Sequence, residues 1–537
     1  MAAGGYRYVI VGAGAAGCVL AGRLSVDPAC RVALLEAGGP DRKREIRIPL
    51  AASRLFQTAY DWNYRTSKQP QMSDREMYWP RGKTLGGSSS INGQAWVRGH
   101  RVDYDGWAQR CPGWSYDEVL PYFQRAERRV GSNAGGVYGT AGPLCISELR
   151  DPNPTTSAFL AACAELGLRR LGELNEPDNT GYTPTPVTQR RGLRHSAADA
   201  YLRPAGRRRN LTVLTGAHAQ RILLDGTRAT GVEYRDAAGV PQQVTASHEV
   251  ILSGGTVNSP QLLMLSGIGD PDQLRAAGVQ PRHELVGVGA NLQDHLACAV
   301  IVHCPKPITL LAAESPAQLA RFLLARRGML TSNVAEAVAF VRSDPALTAP
   351  DLELVWLPVP VLGPDLPPPP GHGLSLGVLL LQPDSRGRIR LASADPAQPP
   401  VIDPGYLTAE SDLPRLVAGM RIAERLCDAD ALRPYVGRPM PPWPGKVDDA
   451  SLERFVREHA QTAYHPVGTC RMGSDDAAVV DCQLRVRGLS GLRVVDASVM
   501  PQIIRGHTQA PTVMIAERAA DLIHASNHEH QPGRPNT

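Results

Sequence analysis

At 537 residues the chain is too long for one simple core and implies at least two structural units. Hydrophobic residues make up 43% and charged residues 20%, an ordinary globular balance that excludes a fibrous or disordered chain. The formal charge of +5 is small for this length; a local basic run, Arg207-Arg208-Arg209, sits beside Pro204 and Gly206 and reads as a solvated loop, so no nucleic-acid partner is expected. Ten cysteines are scattered without a C-x-x-C pair or histidines at zinc spacing. No metal is expected, and the thiols read as reduced. The first apolar run, Tyr8 to Val11, is too short to span a membrane and follows no leader pattern, which points to a cytoplasmic protein.

Tyr6 to Val11 is apolar and β-branched enough for a buried parallel strand. Gly12-Ala13-Gly14-Ala15-Ala16-Gly17 follows, a G-x-G-x-x-G turn, and helix formers run from Cys18 to Leu24. Gly12 permits the tight turn, Gly14 lets backbone approach a pyrophosphate, and Gly17 lets the helix pack closely on the strand. The phosphates then meet the free N–H groups and the positive end of the helix dipole. A second strand, Arg31 to Leu35, ends at Glu36, about twenty residues past the third glycine, where an acid can accept from a ribose hydroxyl. The turn alone does not separate NAD from FAD.

Next in chain order, Arg81-Gly82-Lys83-Thr84-Leu85-Gly86-Gly87-Ser88-Ser89-Ser90-Ile91-Asn92-Gly93 is dense in exposed amides and hydroxyls, suited to a loop lying along a phosphate or a flavin ring. This stretch resembles the first signature of the glucose-methanol-choline (GMC) oxidoreductases, whose members bind FAD. Gly255-Thr256-Val257-Asn258-Ser259-Pro260 resembles the second, behind a buried strand at Glu249 to Ser253. Arg194-His195-Ser196, Asn291-Leu292-Gln293-Asp294-His295, His465-Pro466-Val467-Gly468-Thr469 and Val495-Asp496-Ala497-Ser498 follow in the family's order, so the resemblance spans about residues 6 to 524. It implies an α/β fold: a doubly wound FAD-binding domain built from discontinuous segments, and an α+β substrate domain with an antiparallel sheet flanked by helices. We place the first over 1–155, 190–305 and 460–524, the second over 156–189 and 306–459, with a polar tail at 525–537. The proline-dense run Pro358 to Pro370 reads either as an access lid or as a rigid surface loop.

By the same resemblance, FAD contacts are expected from Gly12, Gly14, Ala15, Ala16, Gly17, Glu36 and Ala37, from Trp62, and from Arg81, Gly82, Thr84, Leu85, Gly86, Gly87, Ser88, Asn92, Gly93 and Ala95. Ala219, Asp496, Ala497, Gln509 and Thr512 complete the set. Some relatives link FAD covalently through a histidine where this chain has Ile91, so the cofactor is expected to be non-covalent. The implied reaction is oxidation of a small-molecule alcohol to an aldehyde or ketone, with hydride transfer to flavin N5 and electrons passed to oxygen or another acceptor. A flavin-containing lyase or photodecarboxylase and a catalytically silent flavoprotein are the alternatives. His465 stands where the family carries its active-site histidine, and its ordinary pKa suits a general base. The second family position, Asn or His elsewhere, falls on Gln509, with His507 two residues earlier as the other candidate. Gln keeps the carboxamide but adds a methylene, enough to move the amide by about an ångström. Glu336 resembles the acid that binds a trimethylammonium head group, which would favour a cationic or amino-bearing alcohol, and Trp62, Trp96 and Trp356 are the candidate pocket aromatics, which core packing would explain equally well.

Overall fold

The computed structural model describes residues 5–361 and 370–529. Tyr6–Val11 is an inner strand, with Tyr8, Val9 and Ile10 fully buried, as a strand covered on both faces requires. Val32–Glu36 and Pro241–Leu252 flank it, both parallel. Leu211–Thr215 extends the sheet on one side, and Leu492–Val494 pairs with the end of Pro241–Leu252 on the other. The early half of that long strand instead pairs antiparallel with Arg228–Arg235, which pairs in turn with His218–Asp225, giving seven strands. The parallel strands end together at Val11, Glu36, Leu252 and Val494, and a ligand crevice belongs at those carboxyl ends.

A second sheet is wholly antiparallel and six-stranded, in the order Gln461–Thr462, Leu296–His303, Gly373–Leu380, Leu352–Leu357, Ala337–Val341 and Gly181–Pro184. Its pleat sorts side chains by parity. Leu352, Leu354 and Trp356 point to the helices Pro154–Glu165 and Asp412–Cys427; Trp356 stacks on Phe159 and donates Nε1–H to Thr155 Oγ1 at 3.1 Å. Glu353, Val355 and Leu357 point the other way, toward the first sheet. Leu296–His303 lies inside the 190–305 segment yet hydrogen-bonds into the second sheet, so that boundary falls before Leu296.

Three further expectations are corrected. The first helix starts at Ala15, not Cys18, because Gly14 already serves as its N-cap. The last helix, Gln509–Glu529, continues into the stretch read as a tail. Cys111 and Cys482 form a disulfide, their Cα atoms 5.2 Å apart although 371 residues separate them in sequence; the other eight cysteines are free. The proline-dense run falls mostly on 362–369, outside the described residues. Among the described residues no helix is long and apolar enough to cross a membrane.

Candidate active site

A cavity of about 600 Å³ runs from the glycine turn, across the carboxyl ends of the first sheet, to the inner face of the second. At its first end the helix Ala15–Leu24 begins without a side-chain cap, leaving its first amides free for an anion. A Cβ on Gly17 would lie 1.9 Å from Gly12 O, so only glycine lets helix and turn approach this closely. A Cβ on Gly14 would meet nothing nearer than 3.9 Å, which leaves room over the turn. Gly87 (φ +52) brings the second glycine loop onto this turn; a Cβ there would fall 2.7 Å from Gly14 Cα. Glu36 Oε2 accepts from Ala13 N at 2.9 Å and Oε1 from Gly38 N at 2.8 Å. Burial pushes its pKa up to about 7, against the pull of those two amides.

Gly12, Gly14, Ala15, Ala16, Glu36, Ala37, Trp62, Arg81, Gly82, Gly87, Ser88, Asn92, Gly93, Ala95, Ala219, Asp496, Ala497, Gln509 and Thr512 all line this cavity. Gly17, Thr84, Leu85 and Gly86 do not. Thr84 Oγ1 donates to Gly39 O at 2.9 Å, and Gly86 N to Ala13 O at 2.8 Å, so this part of the loop holds the cradle down from outside. Asp496 accepts from Gly255 N at 2.8 Å and Ser259 Oγ at 2.6 Å, tying the second signature to the crevice.

At the other end three histidines meet. His465 Nδ1 lies 3.0 Å from His295 Nδ1, and His295 Nε2 lies 3.1 Å from Leu381 O. The His507 ring is 4.7 Å from that of His465, centroid to centroid. Burial, helped by the neighbouring His507, His295 and Arg81, holds the His465 pKa well below its ordinary value. The loop is pinned where Asp294 Oδ1 accepts from His465 N at 2.7 Å, and Tyr464 before it takes a left-handed φ of +66°. His507 Nε2 lies 3.0 and 3.1 Å from the two oxygens of Glu353, a fully buried carboxylate. Gln509 Oε1 accepts from Asn92 Nδ2 at 2.5 Å, and Asn92 Oδ1 accepts from Arg194 Nη1 at 2.8 Å. The amide Nε2 of Gln509 is buried without a partner.

Two expected substrate residues are not here. Glu336 faces away from the cavity, where its carboxylate accepts from Ser332 Oγ, Thr156 Oγ1 and Asn153 N, each at 2.6 Å. Those three donors satisfy it as a buried structural acid. Trp356 has the wrong parity and packs on Phe159. His295, although inside the Asn291–His295 motif, and Glu353 are not among the residues the sequence singles out for the site. A lone acid inside the apolar run Leu352–Leu357 was the available signal, since a buried charge needs a partner.

Known proteins bear out the family. The GMC oxidoreductase profile matches residues 6–297 and 383–516. The chain is a GMC oxidoreductase. An uncharacterised GMC-type oxidoreductase of Mycobacterium bovis is 52% identical over 96% of this chain and 98% of its own. An alcohol dehydrogenase [acceptor] of Pseudomonas putida is 42% identical over 96% and 95%. The solved pyridoxine 4-oxidase of Mesorbium loti superposes with a TM-score of 0.89 at 34% identity, covering 98% of this chain and all of that one. GMC oxidoreductases bind FAD, and this GMC oxidoreductase is accordingly an FAD-dependent enzyme.

Proposed function

We propose that the enzyme oxidises an uncharged alcohol with an apolar body to an aldehyde or ketone, with His465 as the base. The observation that carries this reading is the hydrogen-bond chain through the histidines. The Leu381 carbonyl can only accept, so His295 carries its hydrogen on Nε2. Burial keeps His295 neutral, with its pKa lowered to about 3, and its Nδ1 then offers a lone pair. His465 must fill that lone pair with its own Nδ1–H, which leaves His465 Nε2 unprotonated as the acceptor for a hydroxyl proton. Bound FAD supplies the two-electron acceptor for the carbinol C–H pair.

The substrate class follows from the wall opposite. Ala297, Ala299, Ile301, Val355, Leu357, Gly377 and Leu379 line it, all aliphatic or small. Among the described lining residues the only carboxylates are Glu36 and Asp496, both at the glycine-rich end. A quaternary ammonium would find neither an acid nor an aromatic cage on this wall. The names of two similar proteins, an alcohol dehydrogenase and a pyridoxine 4-oxidase, support alcohol chemistry. Mixed anaerobically with the yellow enzyme, aliphatic, alicyclic and aryl alcohols are expected to bleach the flavin faster than choline or aminoalcohols. Preferential bleaching by choline would overturn the assignment.

In the same proposal Glu36 receives the ribose hydroxyls and FAD is held non-covalently, since Ile91 offers no bonding atom and packs with Ile46 and Leu55. Ribose hydroxyls donate, so they require the carboxylate. With its pKa near 7 in the cofactor-free protein, Glu36 must lose a proton on binding FAD at lower pH. FAD affinity of the apoprotein is therefore expected to rise by up to about tenfold per pH unit from pH 5 to 7 and then level off. Fluorescence titration of apoprotein measures this; Glu36→Gln should flatten the slope and weaken binding throughout.

A further inference from the structure

The helix Pro316–Ala325 is held to the protein by one edge, where Phe322 is its only buried residue. Gln318, one turn earlier on that edge, accepts from Met329 N through Oε1 at 3.0 Å. Helical spacing puts Leu319, Ala320, Leu323 and Leu324 on the outer side, and all four are exposed, Leu323 to 60% and Leu324 to 89%. An amphipathic helix ordinarily turns such a stripe to the core; this one turns it to solvent. A contiguous apolar patch of this kind marks an interaction site.

Exposed arginines gather beside the stripe. Arg321 is on the helix, and Arg326 and Arg327 follow its last turn. Arg150 Nη1 donates to Arg326 O at 3.1 Å, and Arg191 precedes Gly192, where a Cβ would lie 2.4 Å from the same oxygen. Arg54 pairs with Glu314, just before the helix, while Arg321 and Arg327 share Asp151 at 3.4 and 2.8 Å. Six arginines thus meet two acids here, an excess of four charges in a chain whose whole formal charge is +5.

The same segment borders the mouth of the cavity. Pro49–Leu55, which carries Arg54, packs on Met329–Thr331, the turn after the helix. Ala52, Ser53 and Phe56 line the cavity, and Ser53 is exposed. Protein partners are usually anchored by aromatic side chains at the centre of a patch, and the stripe has only leucine and alanine. A bilayer needs no such anchors: acyl chains take the leucines, and anionic head groups take the arginines.

We propose that Pro316–Ala325 docks the protein on a membrane surface bearing anionic lipids, with Leu319, Leu323 and Leu324 in the boundary between head groups and acyl chains. The helix lies on the bilayer and does not cross it, since its ten residues extend only about 15 Å against a hydrocarbon core of about 30 Å. Docking in this way brings the cavity mouth at Ser53 close to lipid. It does not depend on which substrate the enzyme oxidises.

The test is co-flotation of the FAD-loaded full chain with vesicles of phosphatidylcholine alone or of phosphatidylcholine mixed with phosphatidylglycerol. Wild type is expected to float with the mixed vesicles and to bind the neutral ones at least about tenfold more weakly. Raising salt from about 0.05 to about 0.5 M should release much of it, because the head-group attraction is screened. The double variant Leu323→Ser/Leu324→Ser should bind mixed vesicles at least about tenfold more weakly through lost apolar burial. Arg326→Gln/Arg327→Gln should do so by a similar factor through lost charge. Both variants should keep the flavin content and melting temperature of wild type, since the four side chains are exposed. Wild type that stays in the aqueous fraction with both vesicles, equal binding to both, or variants that float as wild type does would overturn the proposal. So would a lipid-free dimer in sedimentation velocity that Leu323→Ser/Leu324→Ser dissociates, which would assign the stripe to a second copy of the chain.

Discussion

Replacing His465 by Ala is expected to lower kcat/KM for the preferred alcohol by about a thousandfold, with FAD still bound. General-base catalysis by a positioned side chain contributes on the order of a hundred- to ten-thousandfold, and an enclosed Nε2 with a dictated tautomer belongs in the upper part of that range. The cofactor cradle lies at the other end of the cavity, so flavin content should not change. A companion pair of variants separates the base from its support. In His295→Gln the amide oxygen can accept from His465 Nδ1–H while the amide nitrogen donates to Leu381 O, reproducing the native polarity. His295→Leu can do neither, and lets His465 put its hydrogen on either nitrogen. The Gln variant should retain most activity, and the Leu variant should lose on the order of a hundredfold, measured as the rate of anaerobic flavin reduction. Equal rates in the two variants would show that the tautomer chain has no part in the reaction.

Gly17→Val should give a protein without FAD. The added Cβ would lie 1.9 Å from the carbonyl oxygen of Gly12 and 3.0 Å from its carbon, and both are backbone atoms that no rotamer change can move aside. Helix and strand must separate, which carries the free amides of the first turn away from the pyrophosphate. Overpacking of this kind costs about 1–3 kcal/mol even where side chains can yield, so a fall of several degrees in melting temperature should accompany the loss of colour. Gly39→Ala is the control, since a Cβ there meets nothing within 4 Å; it should stay yellow and as stable as wild type. The ratio of flavin to protein absorbance and a thermal melt read both outcomes. A yellow Gly17→Val protein would sink the account of the turn.

The glycine turn, the acid after the second strand and His465 were all legible because each carries its meaning locally, in a spacing or a short motif. What was not legible depends on which residues meet across the fold. Glu336 and Glu353 are both lone acids in or beside apolar strands, and only their partners across the fold tell them apart: Asn153, Thr156 and Ser332 satisfy the one, and His507 meets the other. Trp356 and Val355 exchange roles by a single step along the pleat. The His295–His465 contact joins residues 170 apart in sequence, and Glu353–His507 residues 154 apart. The departure at Gln509 was visible, but its consequence depended on Asn92 and Arg194 drawing its amide away. Cys111 and Cys482 have no local signature at all.

The parity of the second sheet also separates two kinds of change. The histidines gather at one end of the cavity, while the face that the second sheet turns toward it is lined by Ala297, Ala299 and Gly377. The backbone does not demand glycine at position 377: its φ is not positive, and a Cβ there would meet Leu357 Cδ1 at 3.6 Å, an ordinary contact. The residue is small because the space in front of it is being kept. A methyl group added at 377 would trim the volume open to a substrate's body, and truncating Ile301 or Leu357 would enlarge it, with the proton-handling groups left in place. Substrate range in this protein can therefore drift by single aliphatic exchanges along one sheet face while the chemistry stays fixed.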